Sequence, residues 1–239
     1  NRNYLWLLMG LFALSLMNGI RDTLGLYGAT YYWGFPSEDL RWYSLGSLVG
    51  FVCALTLTPR LHARWGRRPV IICSTAAMVV FPALGYILRE LGLIFPNGDP
   101  RLLPTLVSIA AVSYAVGAIL NISVMSALAD VADENEVRFG VRQEGVLYST
   151  RALFAKVDTA IGAALAGAVL TLIAFPEMAQ PGEVDAEVIR NLGLFLGPIS
   201  MIPGVIAIFL YGRFNISRAD FVATRAKIEE IKRAQAKAD

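Results

Sequence analysis

Histidine and cysteine are nearly absent from this sequence: one His (His62) and two Cys (Cys53 and Cys73) in 239 residues. A single imidazole excludes most catalysis that relies on a histidine base. Both cysteines fall in apolar stretches, which leaves no disulfide framework and no metal-ligand spacing. Charge is sparse as well. Asp, Glu, Lys and Arg make up 17% of the chain, where soluble proteins carry about 25%. The net charge of +2 points to no partner, and most of the positive charge lies on short connections and the tail, so nucleic acid is not expected. An initiator methionine and a signal-peptide pattern are also missing. The chain begins Asn1-Arg2-Asn3 directly before an apolar segment, as expected of a fragment.

Apolar residues fill the space that charge leaves. They amount to 56% of the chain, and the mean hydropathy is +0.54. An all-α integral membrane protein is expected, with six spans at about 4–33, 40–58, 69–88, 102–128, 145–175 and 191–212, each near or above the ~20 residues a crossing needs. Together, residues 1–214 form one six-helix bundle. From 215 to 239 the chain mixes Phe221, Ile228 and Ile231 with Lys and Arg, the pattern of an amphipathic cytoplasmic tail helix. The first span is long, and Asn18-Gly19 is expected to bend it. Gly46 and Gly50, four apart, permit close helix packing in the second span. Residues 60–68 read as a short basic loop. Pro198 and Pro203 interrupt the sixth span.

Of the 21 Lys and Arg, fourteen fall on the side of the N-terminus, the second and fourth connections and the tail. Four fall on the opposite side, and Arg21, Arg151 and Lys156 lie inside spans. The positive-inside rule then places both termini in the cytoplasm of a multi-pass cell-membrane protein.

The densest polar block is Asp130, Asp133, Glu134, Glu136, Arg138, Arg142 and Glu144, read as a loop at the water interface. An apolar segment follows that carries Arg151, Lys156 and Asp158. Lys156 is eleven residues past Gly145 and so roughly 16 Å along a helix, near mid-bilayer. An ionisable side chain there costs about 2.5–3.5 kcal/mol on insertion scales and marks a functional site by default. Lys156 shares a face with Ser149, Ala152, Thr159 and Ala163, small or polar neighbours that suit a cavity wall. Arg151 and Asp158 point away from it, and Asp158, Gly162 and Ala166 form a small-residue stripe for helix packing.

The run Asp130-x-x-Asp133-x-x-Glu136-x-x-x-Gly140-x-Arg142-x-Glu144-Gly145, followed by Tyr148-Ser149 and Lys156, resembles the loop 10–11 and helix 11 signature of the glycoside–pentoside–hexuronide:cation symporters, the melibiose permease family of the major facilitator superfamily. Leu26-Tyr27-x-Ala29-Thr30-Tyr31-Tyr32-Trp33 resembles the end of helix 7 in its bacterial members. Residues 60–68 are similar to the Gly-Arg-Arg loop motif of major facilitators without its usual acidic residue, and a small or polar residue usually stands where this chain has Asp158. The resemblance implies the C-terminal half, helices 7–12, of a twelve-helix carrier in a bacterial inner membrane. Such a carrier moves a sugar or glycoside with Na⁺ or H⁺. No cofactor or resident metal is implied, and the coupling cation is held mainly by the N-terminal half, the partner of this bundle in the bilayer.

On this resemblance the substrate and cation pathway comprises Lys156, Asn18, Asp22, Arg21, Asn121 and Tyr148. Asn18 and Asp22 share a helix face; an Arg21–Asp22 pair that serves only packing is the alternative for those two. Asp130, Asp133, Glu136, Arg142, Glu144 and Arg151 form a cytoplasmic network that breaks and re-forms as the halves rock. A sodium-coupled lysolipid carrier of the same fold and a non-transporting scaffold are the other readings. A Ser149–Lys156 hydrolase is disfavoured, since seven residues separate the two by roughly 10 Å of rise.

Overall fold

A hydrocarbon solvent accepts no hydrogen bond, so a spanning chain must satisfy its backbone within itself. The computed structural model, which describes residues 2–139 and 144–213, is accordingly helical, with no strand among the described residues. α1 (Arg2–Tyr27) continues into a wide π-helical turn, Gly28–Tyr32. α2 (Leu40–Trp65), α3 (Arg67–Glu90), α4 (Leu102–Phe139) and α5 (Glu144–Leu172) follow. α6 (Ala186–Leu194), a second π-helical turn (Phe195–Ile199) and α7 (Met201–Arg213) together make the last span. Five stretches are long and apolar enough to cross a membrane; α5, charged in its first half, has a shorter apolar part at Ala160–Leu172. The expected tail, 215–239, lies outside the described residues, as does Arg142.

Three local expectations are corrected. The polar block is not a loop as far as Phe139, because α4 runs on through Asp130, Asp133 and Glu136. No glycine or proline interrupts the chain there before Gly140, and Asp130 and Asp133 are buried. At 38 residues α4 is about 57 Å long, so one end must project beyond a ~30 Å hydrocarbon core. The basic stretch 60–68 is likewise mostly helix. α2 persists through Pro59 to Trp65, and Gly66 alone, at φ 81°, separates it from α3. That backbone conformation favours glycine. In α1, Asn18-Gly19 makes no break; the irregular turn comes ten residues later at Gly28–Tyr32.

Gly19 is instead a contact point. A Cβ on Gly162 of α5 would lie 2.6 Å from Gly19 Cα, so α1 and α5 touch backbone to backbone. These two helices run parallel: Tyr4 and Tyr148 belong to one core cluster near their starts, and Tyr27 meets Phe175 edge-on at 5.3 Å near their ends. The Gly46/Gly50 pair performs as expected, both residues buried against Val107 and Ala111 of α4. α1 packs on α5 and α7, α2 on α4, and α3 on α4 and α7, while α1 and α4 meet only sparingly. The main core lies among Leu14, Met17, Val79, Leu120, Val124 and Tyr211. Leu45, Leu48, Val49, Phe51, Val52 and Leu55 of α2 are exposed, which is costless where the solvent is lipid or another helix layer.

Candidate substrate cavity

Where α1 and α4 diverge, a cavity of about 430 Å³ opens. Asn18, Arg21 and Asp22 line it from α1, with Trp33 just past the π-helical turn. Tyr43 of α2, Tyr86 of α3 and Ser113 and Tyr114 of α4 complete its polar and aromatic lining; Pro82, Leu106, Ile109 and Leu196 are among its apolar walls. Trp33 is fixed by its neighbours: its ring lies 5.4 Å from Tyr86, and the Arg89 guanidinium sits 5.2 Å from it and 4.2 Å from Tyr32. Arg89 and Asn97 both donate to the Tyr32 carbonyl, an acceptor at the end of α1 that would otherwise lack a partner.

Arg21 and Asp22 are neighbours in sequence with different fates. Arg21 donates from Nε to Ser200 Oγ (2.8 Å) and from its two terminal nitrogens to the carbonyls of Met78 (3.2 Å) and Val79 (3.1 Å). The Met78 carbonyl would be the helical acceptor for residue 82, but Pro82 has no N–H. On the other side, Ser200 N–H bonds back to Phe195 O, and the Ser200 hydroxyl lies 2.9 Å from Leu196 O and 3.0 Å from Gly197 O. Gly197 has non-helical torsions (φ −86°, ψ −109°). One guanidinium therefore joins the free carbonyl left by Pro82 in α3 to the break before α7. Asp22 is exposed to the cavity, and among the described residues neither Asp22 nor Asn18 has a hydrogen-bond partner.

The other expected pathway residues do not line this cavity. Lys156 is exposed on α5. It lies six residues before Gly162, while Asp22 lies three after Gly19, so the two are roughly 14 Å apart along the helix axes. Tyr148 is half-buried against the main core. Asn121 is exposed and accepts one long hydrogen bond from Arg151 (3.4 Å), which brings together two residues expected to serve different roles. Of the expected network, Asp130 forms an ion pair with Arg67 at the start of α3. Asp133 is 3% exposed and Glu136 half-buried; both have interaction partners. The side chains of Glu144 and Asp158 lie outside the described set, with Arg142.

A model of the MFS/sugar transport protein family matches residues 1–218. The chain belongs to that family. It is a multi-pass membrane transporter of the major facilitator type and not an enzyme, with a partial facilitator fold in which sugar is the family's cargo. No individual curated protein matches the chain. For a sugar transporter, Tyr43 and Tyr86 are the notable aromatic residues of this cavity that the sequence did not single out. An aromatic residue in a span reads as bilayer packing or as cavity wall with equal ease. Only the divergence of α1 from α4 tells which, and that is a property of four helices at once.

Proposed function

We propose that the chain is the C-terminal half of a cation-coupled carrier of the glycoside–pentoside–hexuronide branch, which moves a sugar or glycoside by alternating access. The observation that carries this reading is the cavity wall. A carboxylate and an amide, Asp22 and Asn18, stand free one helical turn apart, with Trp33, Tyr43, Tyr86 and Tyr114 around the same space. A sugar offers hydroxyl donors along its edge and C–H groups on its faces. Carboxylate and amide oxygens accept the first, and aromatic rings cover the second. A volume of about 430 Å³ suits a small-molecule site.

On this reading Arg21 shapes the wall and leaves sugar contact to its neighbours. Lys156, unpaired among the described residues, reaches the N-terminal half, where most of the cation site belongs. The Arg67–Asp130 pair, with Asp133, Glu136, Arg142, Glu144 and Arg151, forms the network that opens and closes the inner, cytoplasmic end. Both termini face the cytoplasm of a bacterial inner membrane.

The test is uptake by the full-length carrier in vesicles, with labelled glycosides, pentosides and a lysophospholipid, under Na⁺ or H⁺ gradients. Gradient-dependent uptake of one sugar is expected, with KM raised about tenfold in Asn18→Ala, the loss of one good hydrogen bond. Uptake of the lipid instead keeps the fold and replaces the cargo; no flux of any probe removes the carrier reading.

A further inference from the structure

We propose that Arg89, which does not line the cavity, is a positioning residue for sugar binding: it fixes the indole of Trp33 as a preformed wall and through that ring sets the affinity for sugar. This rests on the sugar-carrier reading.

Trp33 lines the cavity and is yet only 4% exposed. The surface it offers a sugar is therefore decided by what packs behind it. Tyr32 meets the indole edge-on at 4.9 Å, and Tyr86 lies 5.4 Å away with its ring tilted. The third neighbour is Arg89, near the end of α3, whose guanidinium carbon stands 5.2 Å from the Trp33 ring and 4.2 Å from that of Tyr32. One cation thus lies within the ~6 Å reach of two adjoining rings.

Two observations separate this arrangement from an ordinary helix cap. The Tyr32 carbonyl has two donors where one satisfies a buried oxygen. Asn97, in the connection between α3 and α4, donates to it at 3.0 Å. Arg89 donates to the same oxygen and, at 3.0 Å, to the side-chain oxygen of Asn97. The backbone does not require the arginine as well. The second observation is the charge. No carboxylate pairs with Arg89 among the described residues, and its neighbour Glu90 turns to Arg190 of α6 at 3.4 Å. The Arg89 charge is left against the two rings, where a neutral cap would leave the indole without its third support.

A wall built in advance matters to a ligand that stacks. A large side chain that must be ordered on binding subtracts that cost from affinity, and one already ordered does not. Displacements of about 0.5 Å are enough to spoil such a contact. Tyr32 is 2% exposed and is not among the cavity-lining residues, so what Arg89 does for the sugar passes through Trp33.

The experiment uses the full-length carrier in proteoliposomes. Counterflow exchange of labelled mono- and disaccharides, which needs no gradient, first identifies a sugar that the wild type carries. Two variants then divide the roles of the cluster. Arg89→Gln keeps a donor for the Tyr32 carbonyl and removes the cation from the rings. Asn97→Ala removes a donor and leaves the cation in place. Arg89→Gln should raise the counterflow KM roughly three- to tenfold, the cost of ordering one large side chain on binding. Its maximal exchange rate should stay near that of wild type, the signature of lost binding alone. Asn97→Ala should keep a KM close to wild type. In a Trp33→Leu background, where the indole is gone, Arg89→Gln should add little, the non-additivity of residues that act as a pair. An unchanged KM in Arg89→Gln overturns the proposal. So does an equal rise in Asn97→Ala, which would make the capped carbonyl the cause, or an undiminished rise in the Trp33→Leu background. A fall in maximal rate at constant KM also overturns it and moves Arg89 to the conformational step. Each of these leaves the carrier reading intact. Absence of counterflow by the wild type for every sugar overturns both, and is seen before any variant is made.

Discussion

Arg21 on α1 donates to the Met78 carbonyl of α3, the acceptor that Pro82 leaves without its helical partner. The relationship explains why an arginine is tolerated inside a span. Its charge is met by the Met78 carbonyl, which Pro82 frees, and by the Val79 carbonyl, and its remaining donor by Ser200 beside the Gly197–Pro198 break. Hydrogen bonds to a charged group contribute about 1.5–3 kcal/mol. Arg21→Gln should therefore lower stability by roughly 2–3 kcal/mol, read as a lower melting temperature in detergent. Pro82→Ala in the same background supplies the missing N–H to Met78 and should recover part of that loss. A double variant as unstable as Arg21→Gln alone would show that the bond to Met78 contributes little.

The α1–α5 contact makes a second prediction. A side chain at Gly162 would meet the Gly19 backbone at 2.6 Å, and backbone cannot rotate aside as a side chain can. Gly162→Val should force the two helices apart at a cost of about 1–3 kcal/mol. Gly167, five residues on, has open space where its Cβ would stand, so Gly167→Ala should shift the melting temperature little, within about 0.5 kcal/mol. Equal effects at both positions would mean that helix propensity, and not packing, decides.

These contacts show what the sequence discloses and what it hides. The all-helical membrane class, the Gly46/Gly50 contact, the Gly162 contact and the interruption at Pro198 follow from composition and small-residue spacing, which are local. The polar block reads as a loop in sequence because charge ordinarily marks contact with water, yet α4 runs through it to Phe139. Asp130 is buried in a helix because Arg67 reaches it from another element. Asn18 and Asp22 could be singled out as a shared polar face. Their separation from Arg21 could not, since it depends on where Pro82 and Ser200 fall in space. The part of Tyr43 and Tyr86 in the cavity wall is hidden for the same reason.

The Arg67–Asp130 pair links the start of α3 to the far part of α4. The Asp130 side chain is 8% exposed and that of Arg67 31%, so the pair is neither fully buried nor freely solvated. In a double-mutant cycle with Arg67→Ala and Asp130→Ala, the coupling energy should be about 1–3 kcal/mol, the range for residues in direct contact. Thermal melts of the four proteins give that quantity. Additive losses would assign the stabilisation to other partners of these residues.

Lys156 calls for two measurements, because a lysine in a span can serve structure or transport. Within this half it is exposed and has no ion-pair partner among the described residues, so no described contact depends on its charge. Lys156→Ala should leave the melting temperature of the isolated half nearly unchanged, within the ~0.5 kcal/mol typical of exposed positions. On the reading proposed above, in which Lys156 reaches the other half, the same change in the full-length carrier should reduce gradient-driven uptake, because an unpaired ammonium inside a membrane costs a few kcal/mol. A large loss of stability in the isolated half would reassign Lys156 to packing. Full uptake by the variant would remove it from the transport pathway. The two readouts together separate a charge that holds the helices from one that works between them.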